Sequence, residues 1–166
     1  GAFRPQDRPA ARALADALAG GPDPVDVADD VRSALWFKLL IIAGIGGVTA
    51  YGRCSIGELR ADPDLRALMV DVFREVDAVA GALRIPLPPD PVDMMVNSVD
   101  HLLDPSFKSS MCRDVERGRP LEVGSLNGAV VRFGERVGVP TPANRRILDA
   151  LLPMHREALA RRGSGP

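Results

Sequence analysis

At 166 residues the chain has room for one domain with a substantial core and falls short of two. Its 46% apolar and 26% charged residues are an ordinary globular mixture, and a net charge of −1 offers no footprint for nucleic acid or an anionic membrane. Two isolated cysteines, Cys54 and Cys112, and two histidines in separate segments, His101 and His155, make neither a disulfide framework nor a metal-ligand set.

The first element is expected over Arg8 to Leu18, alanine-rich with Leu14 and Leu18 on one face and closed by Gly20-Gly21-Pro22. Pro24 to Val27 reads as a short extended piece able to pair with something outside the chain. A long central helix follows from about Asp29 to Ala50, acidic at its start. Gly44, Gly46 and Gly47 each cost it roughly 1 kcal/mol of helix propensity against Ala. Their expected benefit is close approach, by a neighbouring helix or by a ligand. The apolar run here is too short on either side of Lys38 for a membrane span of about 20 residues.

Asp62-Pro63 is an N-cap with a first-turn proline, and the stripe Leu65, Leu68, Met69, Val72, Phe73, Val76, Val79, Ala80 and Leu83 predicts a helix up to the breaker Pro86. Asp90-Pro91 repeats the start signal ahead of Met94, Met95 and Val99. Ser109 to Arg117 is a short helix stopping at Gly118. Leu121 to Arg136 is a further one, with Glu122 at its entrance and Gly138 as its stop. Thr141-Pro142 caps the last helix, Pro153 should kink or end it, and Arg161 to Pro166 reads as a disordered tail. The expected fold is therefore all-α, a bundle of six or seven helices forming one domain over residues 1–160. No Gly-x-Gly-x-x-Gly follows a strand, since Gly44-Ile45-Gly46-Gly47 is embedded in a helix. A Rossmann domain is thus not expected within the chain.

Lys38 is the most informative residue. It is alone among Leu35, Trp36, Phe37, Leu39, Leu40, Ile41 and Ile42, and helical spacing predicts that it is buried. A buried ammonium costs several kcal/mol unless a carboxylate or a ligand anion answers it. Lys38 is then either half of a structural ion pair or a proton donor and anion anchor.

Two blocks carry a family resemblance. Leu35-Trp36-Phe37-Lys38-Leu39-Leu40, continuing to Gly47-Val48-Thr49-Ala50 and Gly57-Glu58-Leu59, resembles the start of the helical domain of ketopantoate reductases (2-dehydropantoate 2-reductases). Ser109-Ser110-Met111-Cys112-Arg113-Asp114, then Glu122, Asn127-Gly128, Gly138, Thr141-Pro142 and Asn144, is similar to that family's signature. The resemblance implies the second, substrate-binding domain of an enzyme that reduces ketopantoate to pantoate in pantothenate biosynthesis. NADP would be held by an upstream Rossmann domain, and the enzyme would be cytoplasmic and able to form a homodimer. It implies Lys38 as the catalytic general acid, with Glu122, Ser110 and Asn127 binding substrate. Asn127 also reads as a helix-packing device, and both readings stand. The family usually has asparagines four and eight residues after the lysine; here Ile42 and Gly46 stand there. That departure keeps open a diverged domain doing cofactor-independent acid/base chemistry on another carbonyl. A non-catalytic dimerisation module built on the long helix and Met94-Met95 is the third reading.

Overall fold

The computed structural model describes residues 2–22 and 25–163. All regular structure among them is helical. A short 3-10 turn leads into α1, Arg8–Leu18, which buries only Ala15 and leaves Leu14 and Leu18 exposed. Arg8 pairs with Asp29 at 2.8 Å across the intervening segment, of which Asp23 and Pro24 lie outside the described residues.

The central rod is three pieces in one. Helix α2, Val31–Ile41, starts at Asp30, whose side chain accepts from the Arg32 amide. It widens into a π-helical turn, Ile42–Gly46, and continues as α3, Gly47–Gly52. Such turns are uncommon and concentrate at functional sites. The glycines here serve close approach. A Cβ on Gly44 would lie 2.0 Å from Phe73 Cε1, and one on Gly47 would lie 2.8 Å from Asn127 Oδ1. Val31–Gly52 has the length and apolarity of a membrane span, but Leu40, Ala43, Val48 and Ala50 are fully buried, as in a core helix.

Around it pack α4, Ile56–Ala61, and α5, Pro63–Ala82. Helix α4 opens with a capping box between Ser55 and Glu58, and Asp62 caps α5 by accepting from Asp64 and Leu65. The expected stripe of α5 is the one it buries, Leu68 through Ala80. Helix α6, Pro91–Asn97, runs into a second π-helical turn, Ser98–Leu102. Asp90 is not its side-chain cap, because the residue sits in the left-handed region at φ 47°. Of the methionine pair, Met95 is buried in the core and Met94 is exposed. Helix α7, Ser110–Glu116, is capped by Ser109, which accepts from the Cys112 amide.

Two expectations need correcting. The segment 121–126 is not helical: the amides of Ser125 and Leu126 both turn back onto the Glu122 carbonyl, and α8 spans Asn127–Val137, ending at Gly138 with φ 74°. Pro153 does not end the last helix, since α9 runs Pro142–Gly163 and takes Arg161 and Arg162 with it; residues 164–166 of the supposed tail lie outside the described ones. The first-turn amides of α9, on Ala143 and Asn144, go to the carboxylate of Glu75 from α5 at 2.6 and 2.9 Å.

Candidate functional site

The π-helical turn, the start of α7 and the 121–126 turn enclose a hollow of about 290 Å³. Ile42, Ile45 and Gly46 form one wall, and Phe107 and Met111 carry it round to Ser110 and Glu122 on the other side. The sequence therefore separates Ser110 from Glu122, and the fold puts both on one cavity. A larger open trough of about 640 Å³ runs between α5 and the α8–α9 loop. Its polar groups are already engaged: Glu75 on α9, Arg74 with Asp71, and Arg146 with the Tyr51 hydroxyl. The smaller hollow is the better site because two of its polar side chains, Ser110 and Glu122, have no partner among the described residues.

Ser110 is exposed at the first position of α7. Its neighbour Ser109 is buried and committed, accepting from Cys112 N at 3.0 Å and lying 2.8 Å from the Thr49 hydroxyl. The two serines thus divide the work, one capping and one facing the cavity. Glu122 lies between Leu121 and Val123, which are 5% and 0% exposed, so its own side chain projects outward. Its carboxylate makes no hydrogen bond or ion pair among the described residues.

Lys38 is exposed, not buried. Trp36, Leu40 and Ala43 take the inward face, which leaves Leu35, Lys38 and Ile42 on the opposite stripe, three and four residues apart. Periodicity failed because both faces of α2 are apolar and only packing distinguishes them. The stripe still matters for the site: Ile42, one turn after Lys38, lines the hollow. Among the described residues the ammonium has no carboxylate partner, so the structural ion pair foreseen as an alternative does not form.

Asn127 belongs to the core, not to the hollow. It is 0% exposed, and its amide nitrogen donates to the Ala43 carbonyl at 3.2 Å and to Asn144 Oδ1 at 3.0 Å. Asn144 in turn donates to Glu75 at 2.7 Å. One chain of amides and a carboxylate thereby ties α5, α8 and α9 to the π-helical turn. Of its two sequence readings, the placement favours the packing device.

Sequence reasoning missed His155. Given no role beyond not being a metal ligand, it is half-buried on α9 and accepts from the Leu121 amide at 2.9 Å, immediately before Glu122. A signal existed, since its spacing from Leu148 and Leu151 puts it on the packed stripe. Both cysteines are free and buried. Burial, with Cys112 nearby, pushes the Cys54 thiol up to about 11, and burial raises Cys112 as well.

The sequence family described as ketopantoate reductase PanE/ApbA C terminal matches residues 30–155. The chain belongs to this family. A 2-dehydropantoate 2-reductase of Pyrobaculum aerophilum is 32% identical over 150 residues, 90% of this chain and 52% of that protein. One from Mycobacterium tuberculosis is 36% identical over 158 residues, 95% of this chain and 50% of its own length. The crystal structure of a PanE/ApbA family ketopantoate reductase from Ralstonia eutropha JMP134 superposes with a TM-score of 0.80 at 32% identity, covering 89% of this chain and 49% of that one. The chain spans about half the length of the curated relatives it matches. The matched range includes Lys38, Ser110 and Glu122, and the all-helical fold is that of the family's C-terminal domain.

Proposed function

We propose that the chain is the substrate-binding and proton-donating half of an NADPH-dependent 2-dehydropantoate 2-reductase, over residues 1–160. The observation that carries this reading is the unspent polar set around one hollow: Ser110 and Glu122 on its wall, and an unpaired Lys38 on the helix stripe leading into it. No strand and no glycine-rich strand-to-helix turn of the Rossmann kind occurs among the described residues. The reading therefore assigns NADPH, which supplies the hydride, to a Rossmann half outside this sequence. Exposed Phe3, Leu14 and Leu18 around α1 support a partner surface there.

Reduction of a 2-oxo group leaves negative charge on its oxygen, and that oxygen must take up a proton. Lys38 Nζ is the donor in this reading, polarising the carbonyl first and protonating the alkoxide afterwards. The Ser110 hydroxyl donates to the substrate carboxylate. Glu122 accepts from the far hydroxyl of ketopantoate, which sets specificity because an analogue without that hydroxyl forfeits the bond. Ile42 and Gly46 make the opposite wall hydrocarbon. That observation favours a second reading, a carbonyl substrate less polar than ketopantoate, and a panel of 2-oxo acids separates the two. The proposal includes a soluble cytoplasmic setting and a homodimer. A neighbour of the same fold is a dimeric ketopantoate reductase from Staphylococcus aureus, and light scattering of the chain tests the pairing.

The deciding experiment joins the chain to the nucleotide-binding half of a relative and follows ketopantoate-dependent NADPH oxidation. Lys38→Ala should lower kcat by about 10²–10⁴-fold. Because Lys38 is exposed, folding stability should stay within about 0.5 kcal/mol. Absence of turnover with every 2-oxo acid, in a folded protein, overturns the reading.

A further inference from the structure

We propose that His155 is a positioning residue of this site: by holding the Leu121 amide, it sets where the Glu122 carboxylate stands. The inference rests on the reading of Glu122 as a substrate contact. Leu121 N–H donates to His155 Nδ1 at 2.9 Å, across 34 residues of sequence. An accepting Nδ1 requires a neutral ring with its proton on Nε2.

The bond sits where it has leverage. Pro120 has no N–H, so the Leu121 amide is the first donor of the segment entering the turn. Beyond Glu122 the backbone is closed on itself by the Ser125 and Leu126 amides, and Arg132 donates to the Gly124 carbonyl at 3.0 Å. On the near side, among the described residues, the only side chain bonded to the backbone is His155. The carboxylate has no protein partner of its own there, so the backbone is what fixes where the Glu122 side chain is rooted and which way it leaves the turn.

Helix α9 thereby reaches both walls of the hollow. Asn144, near its start, holds Asn127 and through it the Ala43 carbonyl of the π-helical turn. His155, three turns later, holds the turn that carries Glu122. One helix thus touches both the π-helical turn, through Asn127, and the turn that carries Glu122.

The test compares His155→Ala with His155→Asn, whose Oδ1 can occupy the place of Nδ1 as an acceptor. In the fused reductase, His155→Ala should raise KM for the 2-oxo acid about 5–10-fold with kcat within about twofold, and His155→Asn should restore KM. In the 166-residue chain alone, His155→Ala should speed hydrogen exchange at the Leu121 amide about 10-fold, while His155→Asn should not. Unchanged exchange at Leu121, an unchanged KM in His155→Ala, or an Asn variant no better than Ala overturns the assignment. Lack of turnover in the parent enzyme overturns the reductase reading, and the exchange measurement judges the His155 bond independently of it.

Discussion

Single residues in this chain have one of two duties, and their partners tell which. The side chains of Asn127 and Ser109 bond to backbone or to other side chains, whereas among the described residues those of Ser110, Glu122 and Lys38 bond to none. The two kinds should separate under mutation. Asn127→Ala leaves Asn144 Oδ1 without its donor and takes the side-chain bond from the Ala43 carbonyl, which keeps the Gly47 amide, and should cost about 1–3 kcal/mol in urea unfolding. Ser110→Ala should cost within about 0.5 kcal/mol and act on KM instead. Cys54 supplies a pH test. Its thiol keeps its proton up to about 11 when folded, against an ordinary value of 9.0. Above pH 9 the unfolded chain releases that proton and the folded chain does not, so stability falls as pH rises through this window and is unaffected below it. Between about pH 8.5 and 10.5 the parent should lose on the order of 1–2 kcal/mol more than Cys54→Ala, read from unfolding curves at each pH.

Among the helices, the glycine-bearing rod decides most. Gly44 and Gly46 are two residues apart and have opposite surroundings. A methyl on Gly44 would run into the Phe73 ring, so Gly44→Ala should destabilise by about 1–3 kcal/mol or more. On Gly46 the added Cβ meets only Ile42 Cγ2 at 3.5 Å and Met111 Cε at 3.8 Å, ordinary contacts on the wall of the hollow. Gly46→Ala should hold or raise the melting temperature, gaining up to roughly 1 kcal/mol of helix propensity, while raising KM. A differential melt and a KM measurement on the two variants distinguish helix packing from ligand space. The rod's expected start, the Asp62-Pro63 start of α5 and the Gly138 stop of α8 were all legible in the sequence, because caps and stripes are local. The turn at 121–126 was not. Leu121, Val123 and Leu126 carry the apolar marks of a helix, yet Leu121 and Val123 turn inward on either side of Glu122 in a bend that closes on itself and is held to α9 through the Leu121 amide.

For the whole molecule, the question is what the exposed N-terminal face meets. Phe3, Leu14 and Leu18 are 71%, 62% and 51% exposed, while the bundle behind them has a continuous buried core from Trp36 to Leu151. If that face joins a nucleotide-binding half, Leu14→Glu with Leu18→Glu should leave the chain's own stability within about 0.5 kcal/mol. The same pair should abolish association with a separately produced half, as read by analytical ultracentrifugation; retained association removes α1 from the interface.

Local chemistry determined that this protein is helical, where most helices begin and stop, and which family its residues belong to. Those features depend on neighbours within a turn or two, so one chain of letters contains them. Which way Lys38 faces, that Asn127 ties helices, and that Glu75 and His155 reach segments 68 and 34 residues away were settled only in three dimensions. The reason is physical: a helix with two apolar faces leaves its orientation to packing, and a polar side chain's role depends on which distant donor or acceptor is brought beside it.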